Sequence, residues 1–563
     1  MAVMRAALLT FVAPTALGLS LGQRQASSPP TVTIQNGTVQ GVYQPTYDQD
    51  LFLGVPYAQP PLGDLRFRHP QPLQEKWNGT LEATSYYPTC VGYGGDQIGY
   101  EVSEDCLVVN IVRPSGMEGQ QLPIGAWIHG GGLVMGSATD RRYNLSFIVQ
   151  NSVDIGKPII GLSMAYRLHA WGFLDGQEVR DEGSTNVGVH DQRLALQWIQ
   201  ENIQAFGGDP RKVTIWGESA GAWSTGVHTL SYGGRDDGLF SGVIGESGNG
   251  VIPAYNATSA QASFDNVTQV AGCGDASNKL DCLRQLDFDT LNTAFNVTGL
   301  RFTGAPDGGI VPYNAYDAML NGDFVKVPYL IGTNSDEGAG GFGAMGINND
   351  SDFRAYLISQ GFDETTAPII EATYPDIPAI GIPATLTWTP DETFGKQFKR
   401  VSAFGGDFAF TAGRRLINQQ YARYNVSTYA YRFDTIPYPL SAEMGVVHFQ
   451  EVAFVFDNTE GLGYAENPFT GKPQEYFDLA KLMSKMWASF IATGDPNGHG
   501  VEGTPNWPVY MNGEGGQPES GMGGYGQDMV LHANDTGSFV EDDVYRAAGI
   551  AALNSMWGSV FGR

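Results

Sequence analysis

Apolar and polar positions along this chain alternate between two periods. Residues 122–129 and 158–163 are short, nearly continuous apolar runs of strand length, and 213–216 and 328–332 repeat that pattern. Leu194, Leu196, Trp198, Ile199 and Ile203 fall at mostly helical spacing and predict a helix over 191–206, ended by Gly207-Gly-Asp-Pro210. Residues 220–229 suit a helix, and 479–493 form an amphipathic one that stops at Gly494-Asp-Pro496. Strands alternating with helices predict an α/β protein with a central, mostly parallel sheet flanked by helices. In such sheets the loops at the carboxyl ends of the strands carry the chemistry. The glycine-rich stretches 338–346 and 513–526 read as loops. No linker, repeat or charge block divides residues 23–563, so one large domain is expected there.

The first residues change the picture of where the protein works. Met1-Ala-Val-Met-Arg5 leads into an apolar run over 6–19, with small Ser20 and Gly22 two apart. Residues 1–22 read as a secretory signal peptide, because the run is too short for a membrane anchor and polar residues follow it. A secreted, extracellular, soluble protein is expected, without integral membrane association. Nine N-x-S/T sequons are glycosylation candidates: Asn36, Asn78, Asn144, Asn256, Asn266, Asn296, Asn349, Asn425 and Asn534. Four cysteines, Cys90, Cys106, Cys273 and Cys282, allow three pairings, of which the short-range one is simplest. A loop of the Cys90–Cys106 size contributes about 3 kcal/mol by chain entropy. Four free thiols are the alternative that a secreted protein disfavours. The net charge of −27 is dispersed and repels nucleic acid and anionic membranes.

The chemistry centres on Val213-Thr-Ile-Trp-Gly-Glu-Ser219-Ala-Gly221, an apolar strand run meeting G-x-S-x-G before a helix-compatible stretch. In that context the motif acts as a nucleophile elbow, with glycines two residues to either side so that the backbone can fold tightly beneath Ser219. A second match, Gly18-Leu-Ser20-Leu-Gly22, lacks the strand and is accidental. A serine nucleophile needs a base, and the base needs an orienting carboxylate. Of the later histidines, His499 lies in the pliant-looking Asn497-Gly-His-Gly500, and His532 lies among charged and glycosylatable residues near the terminus. His448 is embedded in apolar residues and is the best base, with a satisfied structural histidine as the plain alternative. Tyr329-Leu-Ile-Gly-Thr-Asn-Ser-Asp-Glu-Gly338 ends a strand with two carboxylates, Asp336 and Glu337. A solvated surface pair would look the same. The strand-end position favours function, but the chemistry alone does not choose between them. His129-Gly-Gly-Gly132 follows another strand, and glycines there let bare N–H groups approach a developing oxyanion, joined by the N–H of Ala220. His129 itself is read as loop support.

These blocks resemble the type-B carboxylesterase/lipase family, which includes cholinesterases and fungal extracellular lipases. The resemblance also rests on Phe52-Leu-Gly-Val-Pro-Tyr-Ala-Gln-Pro-Pro-Leu-Gly63 with Arg66-Phe67, and on Glu104-Asp-Cys-Leu-Val-Val-Asn110. Asn186-Val-Gly-Val-His-Asp-Gln-Arg-Leu-Ala-Leu-Gln-Trp198, Phe206-Gly-Gly-Asp-Pro210, Asp237-Gly-Leu-Phe240, Glu246-Ser-Gly248 and Met444-Gly-Val-Val-His448 extend it over nearly the whole chain. It implies the α/β-hydrolase fold, a Ser219–His448–Glu337 triad rather than one through Asp336, and an oxyanion hole of Gly131, Gly132 and Ala220. It also implies disulfides Cys90–Cys106 and Cys273–Cys282. One departure is informative: only 15 residues separate Cys90 from Cys106, too few and too glycine-rich for a lid helix, with no tryptophan. That argues against a cholinesterase and against strong interfacial activation. Tyr93 and Tyr100 in this loop read as exposed turn residues, with stacking on a cation as the alternative.

The expectation is a secreted carboxylesterase acting on small-molecule or lipid esters through an acyl-enzyme, with no cofactor, no metal and no nucleic-acid partner. A lipase or sterol-ester hydrolase for long acyl chains is the alternative. A non-catalytic binding or adhesion relative is more remote, because every triad member is present.

Overall fold

In the computed structural model, which describes residues 29–251, 257–297, 299–300, 302–387, 390, 392, 394–511, 526–534 and 537–560, an eleven-stranded sheet runs through the molecule. The expected signal peptide and Asn256 lie outside the described residues. The strands are β1 (Val42–Gln44), β2 (Gln49–Pro56), β3 (Val108–Pro114), β4 (Leu122–Ile128), β5 (Ile160–Met164), β6 (Gly208–Glu218), β7 (Gly242–Glu246), β8 (Tyr329–Asn334), β9 (Thr428–Phe433), β10 (Gln527–Leu531) and β11 (Phe539–Asp542). Their spatial order is β11-β10-β9-β8-β7-β6-β4-β5-β3-β2-β1. The stretch from β10 to β5 is parallel throughout, and antiparallel strands close both ends. The chain passes from β4 to β5 and then crosses back over β4 to β6. Such a reversal opens a crevice at the carboxyl ends of the two strands it straddles.

Side chains alternate between the two faces because successive Cβ atoms point in opposite directions along a strand. On one face, Ile124, Val213, Ile215 and Val243 pack with Leu196 and Ile199 of helix α1 (Val187–Asn202) and with Trp223 and Val227 of helix α2 (Ala220–Gly234). On the other, Trp127, Trp216, Ile244 and Leu330 pack with Met483, Met486 and Trp487 of helix α3 (Gln474–Thr493). A fully buried sheet of this kind reads as continuous apolar runs, which is why 122–129 and 213–216 were legible as strands. A third cluster, with Phe353, Phe404, Phe408 and Trp557, includes the helix Phe398–Gly406, which packs on the turn Glu337–Gly340 that follows β8.

The observed bounds differ from the predicted ones where burial is non-local. Helix α1 starts at Val187, four residues ahead of the predicted 191, because Val187 and Val189 are buried and Asp191 is held in the interior by Arg167. Its predicted last turn, Ile203–Phe206, tightens into a 3-10 turn. The loop at His499 is not pliant: Pro496–His499 is a 3-10 turn, His499 is buried, and its Nδ1 accepts the Val501 N–H at 3.1 Å. Disulfides join Cys90 to Cys106 and Cys273 to Cys282.

Candidate active site

Ser219 stands between β6 and helix α2 with φ 54° and ψ −119°, a strained conformation for a residue with a Cβ. The sequence permits this turn by removing side chains around it. A Cβ on Gly217 would sit 2.5 Å from the Gly221 backbone, and one on Gly221 would sit 2.0 Å from the Ile128 carbonyl oxygen. Ser219 N–H donates to the Glu246 carbonyl at 2.8 Å, which ties the turn to β7. Helix α2 starts immediately after, so the N–H of Ala220 points out of its first turn without a helical acceptor.

Ser219 Oγ lies 2.8 Å from His448 Nε2, and His448 Nδ1 lies 2.8 Å from Glu337 Oε2. The second oxygen of Glu337 accepts the Asn334 N–H at 2.8 Å. Glu337 is 1% exposed and Asp336 6%, so neither belongs to a solvated surface pair. Of these two, Glu337 meets the imidazole. Asp336 Oδ2 instead accepts the Val446 N–H at 2.8 Å. The ring of His448 is stacked on Phe410 at 4.7 Å and met edge-on by Phe342 at 4.8 Å. Phe410 projects from a single π-helical turn, Asp407–Thr411, an irregularity that re-aims side chains at functional sites.

The loop after β4 leans directly on the serine. A Cβ on Gly130 would lie 2.6 Å from the Glu218 carbonyl oxygen and 3.1 Å from Ser219 Cβ. Gly131 and Gly132 take φ +96° and +65°; a Cβ on Gly131 would strike the Met135 carbonyl at 2.3 Å, whereas Gly132 faces open space. His129 props this loop: its ring stacks on Tyr166 at 4.5 Å and its Nδ1 bonds the Gly130 carbonyl at 2.9 Å. Burial lowers its pKa to about 4, so the imidazole is neutral. Among the described residues, the amides of Gly131, Gly132 and Ala220 donate to no protein acceptor.

Three buried glutamates behind these groups escaped the sequence reading. Glu218 Oε1 comes within 3.2 Å of His448 Nε2. Glu246 accepts both Trp216 Nε1 and Trp487 Nε1, the latter at 2.6 Å. Glu451 accepts Asn334 Nδ2 at 2.6 Å. Burial first, and repulsion from neighbouring glutamates second (Glu337 in the case of Glu451), push the Glu218 and Glu246 carboxyls well above the usual carboxylate range and Glu451 up to about 7. The available signal was a charged residue inside an apolar run, as in Glu451-Val-Ala-Phe-Val-Phe456.

Other predicted residues fall away from this centre. His532 bonds Asp434. Tyr93 is not a free turn residue: its hydroxyl bonds Asn292 at 2.9 Å and accepts Trp171 Nε1 at 3.1 Å, and the Tyr100 hydroxyl accepts the Arg141 N–H at 3.3 Å. Asn78, Asn266, Asn296, Asn349, Asn425 and Asn534 are exposed, and Asn144 is half-buried as the cap of the helix Leu145–Asp154. Asn36 is buried and its Nδ2 donates to the Leu73 and Glu75 carbonyls, so this sequon is closed to a glycan in the folded chain.

Comparison with known proteins gives the family. Residues 28–520 match the model of the carboxylesterase family. The chain is 32% identical to Lipase 2 of Diutina rugosa, over 96% of this chain and 99% of the relative. It is 33% identical to Secreted lipase 1 of Botryotinia fuckeliana, over 87% of this chain and 89% of the relative. The crystal structure of Aspergillus niger EstA superposes with a TM-score of 0.81 at 28% identity, covering 95% of this chain and 99% of the other.

Proposed function

Because the chain belongs to the carboxylesterase family and is an ester-hydrolysing serine hydrolase, we propose that it is a secreted carboxylesterase working through Ser219, His448 and Glu337. The observation that carries this reading is the unbroken hydrogen-bond chain from Ser219 Oγ through both ring nitrogens of His448 to Glu337. Ser219 Oγ attacks the ester carbonyl while its proton passes to His448 Nε2. The carbonyl oxygen becomes an oxyanion facing the amides of Gly131, Gly132 and Ala220, each worth about 10²–10³ in turnover. Collapse of the tetrahedral adduct breaks the ester C–O bond, and the imidazolium returns its proton to the departing alcohol. Water then attacks the acyl-enzyme with His448 again as base, releasing the carboxylic acid and restoring Ser219. Glu337 holds the tautomer that leaves Nε2 free to accept.

Secretion is supported by the leader-like residues 1–22 and by the secreted relative. In the described residues no helix is long and apolar enough to cross a membrane.

A lipase is the second reading, favoured by the Diutina and Botryotinia relatives. The Cys90–Cys106 loop weighs against a mobile lid. It is pinned by Gln97 Nε2 to the Gly136 carbonyl at 2.9 Å, by Tyr93 N–H to the Val134 carbonyl at 2.8 Å, and by Asp96 to Arg142 at 2.8 Å.

The test is an organophosphate titration with a chain-length series of nitrophenyl esters, with and without an emulsion. Stoichiometric label on Ser219 and an inactive Ser219→Ala protein are expected, with no jump in rate at the interface. Turnover surviving in Ser219→Ala would end the mechanism, and a sharp interfacial jump would favour the lipase.

A further inference from the structure

Asp336 sits beside the triad acid, is buried, and has no part in the chemistry described so far. Its backbone N–H donates to the Val446 carbonyl at 3.0 Å, and its Oδ2 accepts the Val446 N–H at 2.8 Å. One residue thus grips both polar groups of Val446, two positions ahead of His448. The approach depends on Gly445, which takes φ +68° and whose Cβ, were there one, would stand 2.1 Å from Asp336 Oδ2. Asn334 adds a third tie through Nδ2 to the Val447 carbonyl at 2.8 Å. Directly after the histidine, Phe449 turns the chain with φ +77°, a value rare for a side chain of that size. His448 therefore hangs between a clamped segment and a sharp turn, and the clamp belongs to the same strand-end loop that carries Glu337.

Resting on the triad assignment above, we propose that Asp336 is a positioning residue for the general base: by holding Val446 it sets the loop that delivers His448 to Ser219. The purpose is geometric. A misplacement of about 1 Å at a reacting group can cost on the order of 10²-fold in rate, and residues that lock such groups act through supporting hydrogen bonds. The grip needs an acceptor at Oδ2 and not a charge, so asparagine can supply it. Asparagine has nearly the shape of aspartate, and Asp336 lines a cavity of about 610 Å³.

The experiment measures kcat and KM for nitrophenyl butyrate per organophosphate-titrated site in Asp336→Ala, Asp336→Asn and Gly445→Ala. Titration counts folded, competent sites only, so a variant that folds poorly loses titratable protein and not kcat per site. Asp336→Ala is expected to lower kcat roughly 10–100-fold with KM within about twofold. Asp336→Asn should recover to within about threefold of wild type, and Gly445→Ala should reproduce the loss from the other side of the contact. Wild-type kcat per site in Asp336→Ala, or Asp336→Asn as slow as Asp336→Ala, would overturn the assignment. Failure of the triad itself reads differently: the label would then miss Ser219 in the wild-type protein.

Discussion

Glu218 Oε1 lies 3.2 Å from His448 Nε2, the ring nitrogen that Ser219 Oγ meets at 2.8 Å. An ionised carboxylate there would compete with the serine for the base and trap it as imidazolium. Burial opposes this, with Glu451, Glu246 and Glu337 adding repulsion: together they push the Glu218 carboxyl well above the usual carboxylate range and favour the neutral acid. Glutamine has nearly the same shape and is always uncharged. Glu218→Gln should therefore reduce kcat at pH 7 by much less than the 10²-fold or so that loss of a true acid–base group costs. A larger loss in a pH-rate profile would mean that Glu218 works ionised.

Glu337 makes two demands that a carboxylate meets and an amide cannot. Oε2 accepts from His448 Nδ1, and Oε1 accepts from the Asn334 N–H. In Glu337→Gln one of these donors must face an NH2 group. If His448 is the one that loses, its tautomer reverses and Nε2 no longer accepts the serine proton. The expected loss is about 10³–10⁴ in kcat, seen as an equally slow phosphonylation of Ser219 by an organophosphate. An unchanged phosphonylation rate would reassign the acid.

The elbow was legible because its constraints are local. Gly217 and Gly221 stand where backbone contacts of 2.5 and 2.0 Å exclude any side chain, and that exclusion is written into adjacent residues. Choosing between Asp336 and Glu337 was not local. Both are buried at the end of β8, and what separates them is which one faces a histidine more than a hundred residues away. The family resemblance pointed to Glu337, whereas charge and spacing alone left the pair open. The misjudged rigidity of His499 has the same cause: Asn-Gly-His-Gly is a pliant string until Lys157 and Ser489 pack against it, where a Cβ on Gly498 would lie 2.4 and 2.7 Å from their side chains. Glu218, Glu246 and Glu451 stayed hidden because burial of a carboxyl depends on what folds over it.

The two glycines of the oxyanion loop should respond differently to the same methyl group. In Gly131→Ala the new Cβ meets the Met135 carbonyl at 2.3 Å, so the loop itself must move. Kcat should fall about 10²–10³-fold, the cost of one displaced oxyanion donor. In Gly132→Ala nothing lies within 4 Å of the Cβ, and the remaining cost is the left-handed φ of +65°, about 1–2 kcal/mol of strain. Its kcat should fall less than that of Gly131→Ala. Steady-state rates with butyrate esters decide this, and equal losses would show that the loop is already adaptable.

Stability should peak in mildly acidic solution, and Glu451 sets much of the descent on the alkaline side. Burial raises its carboxyl to about 7 and the charge of Glu337 reinforces the shift, so the folded chain keeps a proton that the unfolded chain releases near pH 4.5. For a carboxyl raised on folding, the contribution is complete below pH 4.5 and is lost as pH climbs through 7. Glu218 and Glu246, also raised by burial, add to the fall. The acid side is governed by depressed groups. Against the effect of burial, His532 and Arg432 hold Asp434 at about 2, and Arg414 and Arg415 hold Asp543 below the usual range. Their contribution is complete above about pH 4 and is lost as pH falls toward 2. Glu451→Gln keeps an acceptor for Asn334 but carries no titrating proton. It should flatten the fall between pH 4.5 and 7, worth up to roughly 3 kcal/mol at pH 7, in urea unfolding midpoints followed across that range. Parallel wild-type and Glu451→Gln profiles would place the titration on another group.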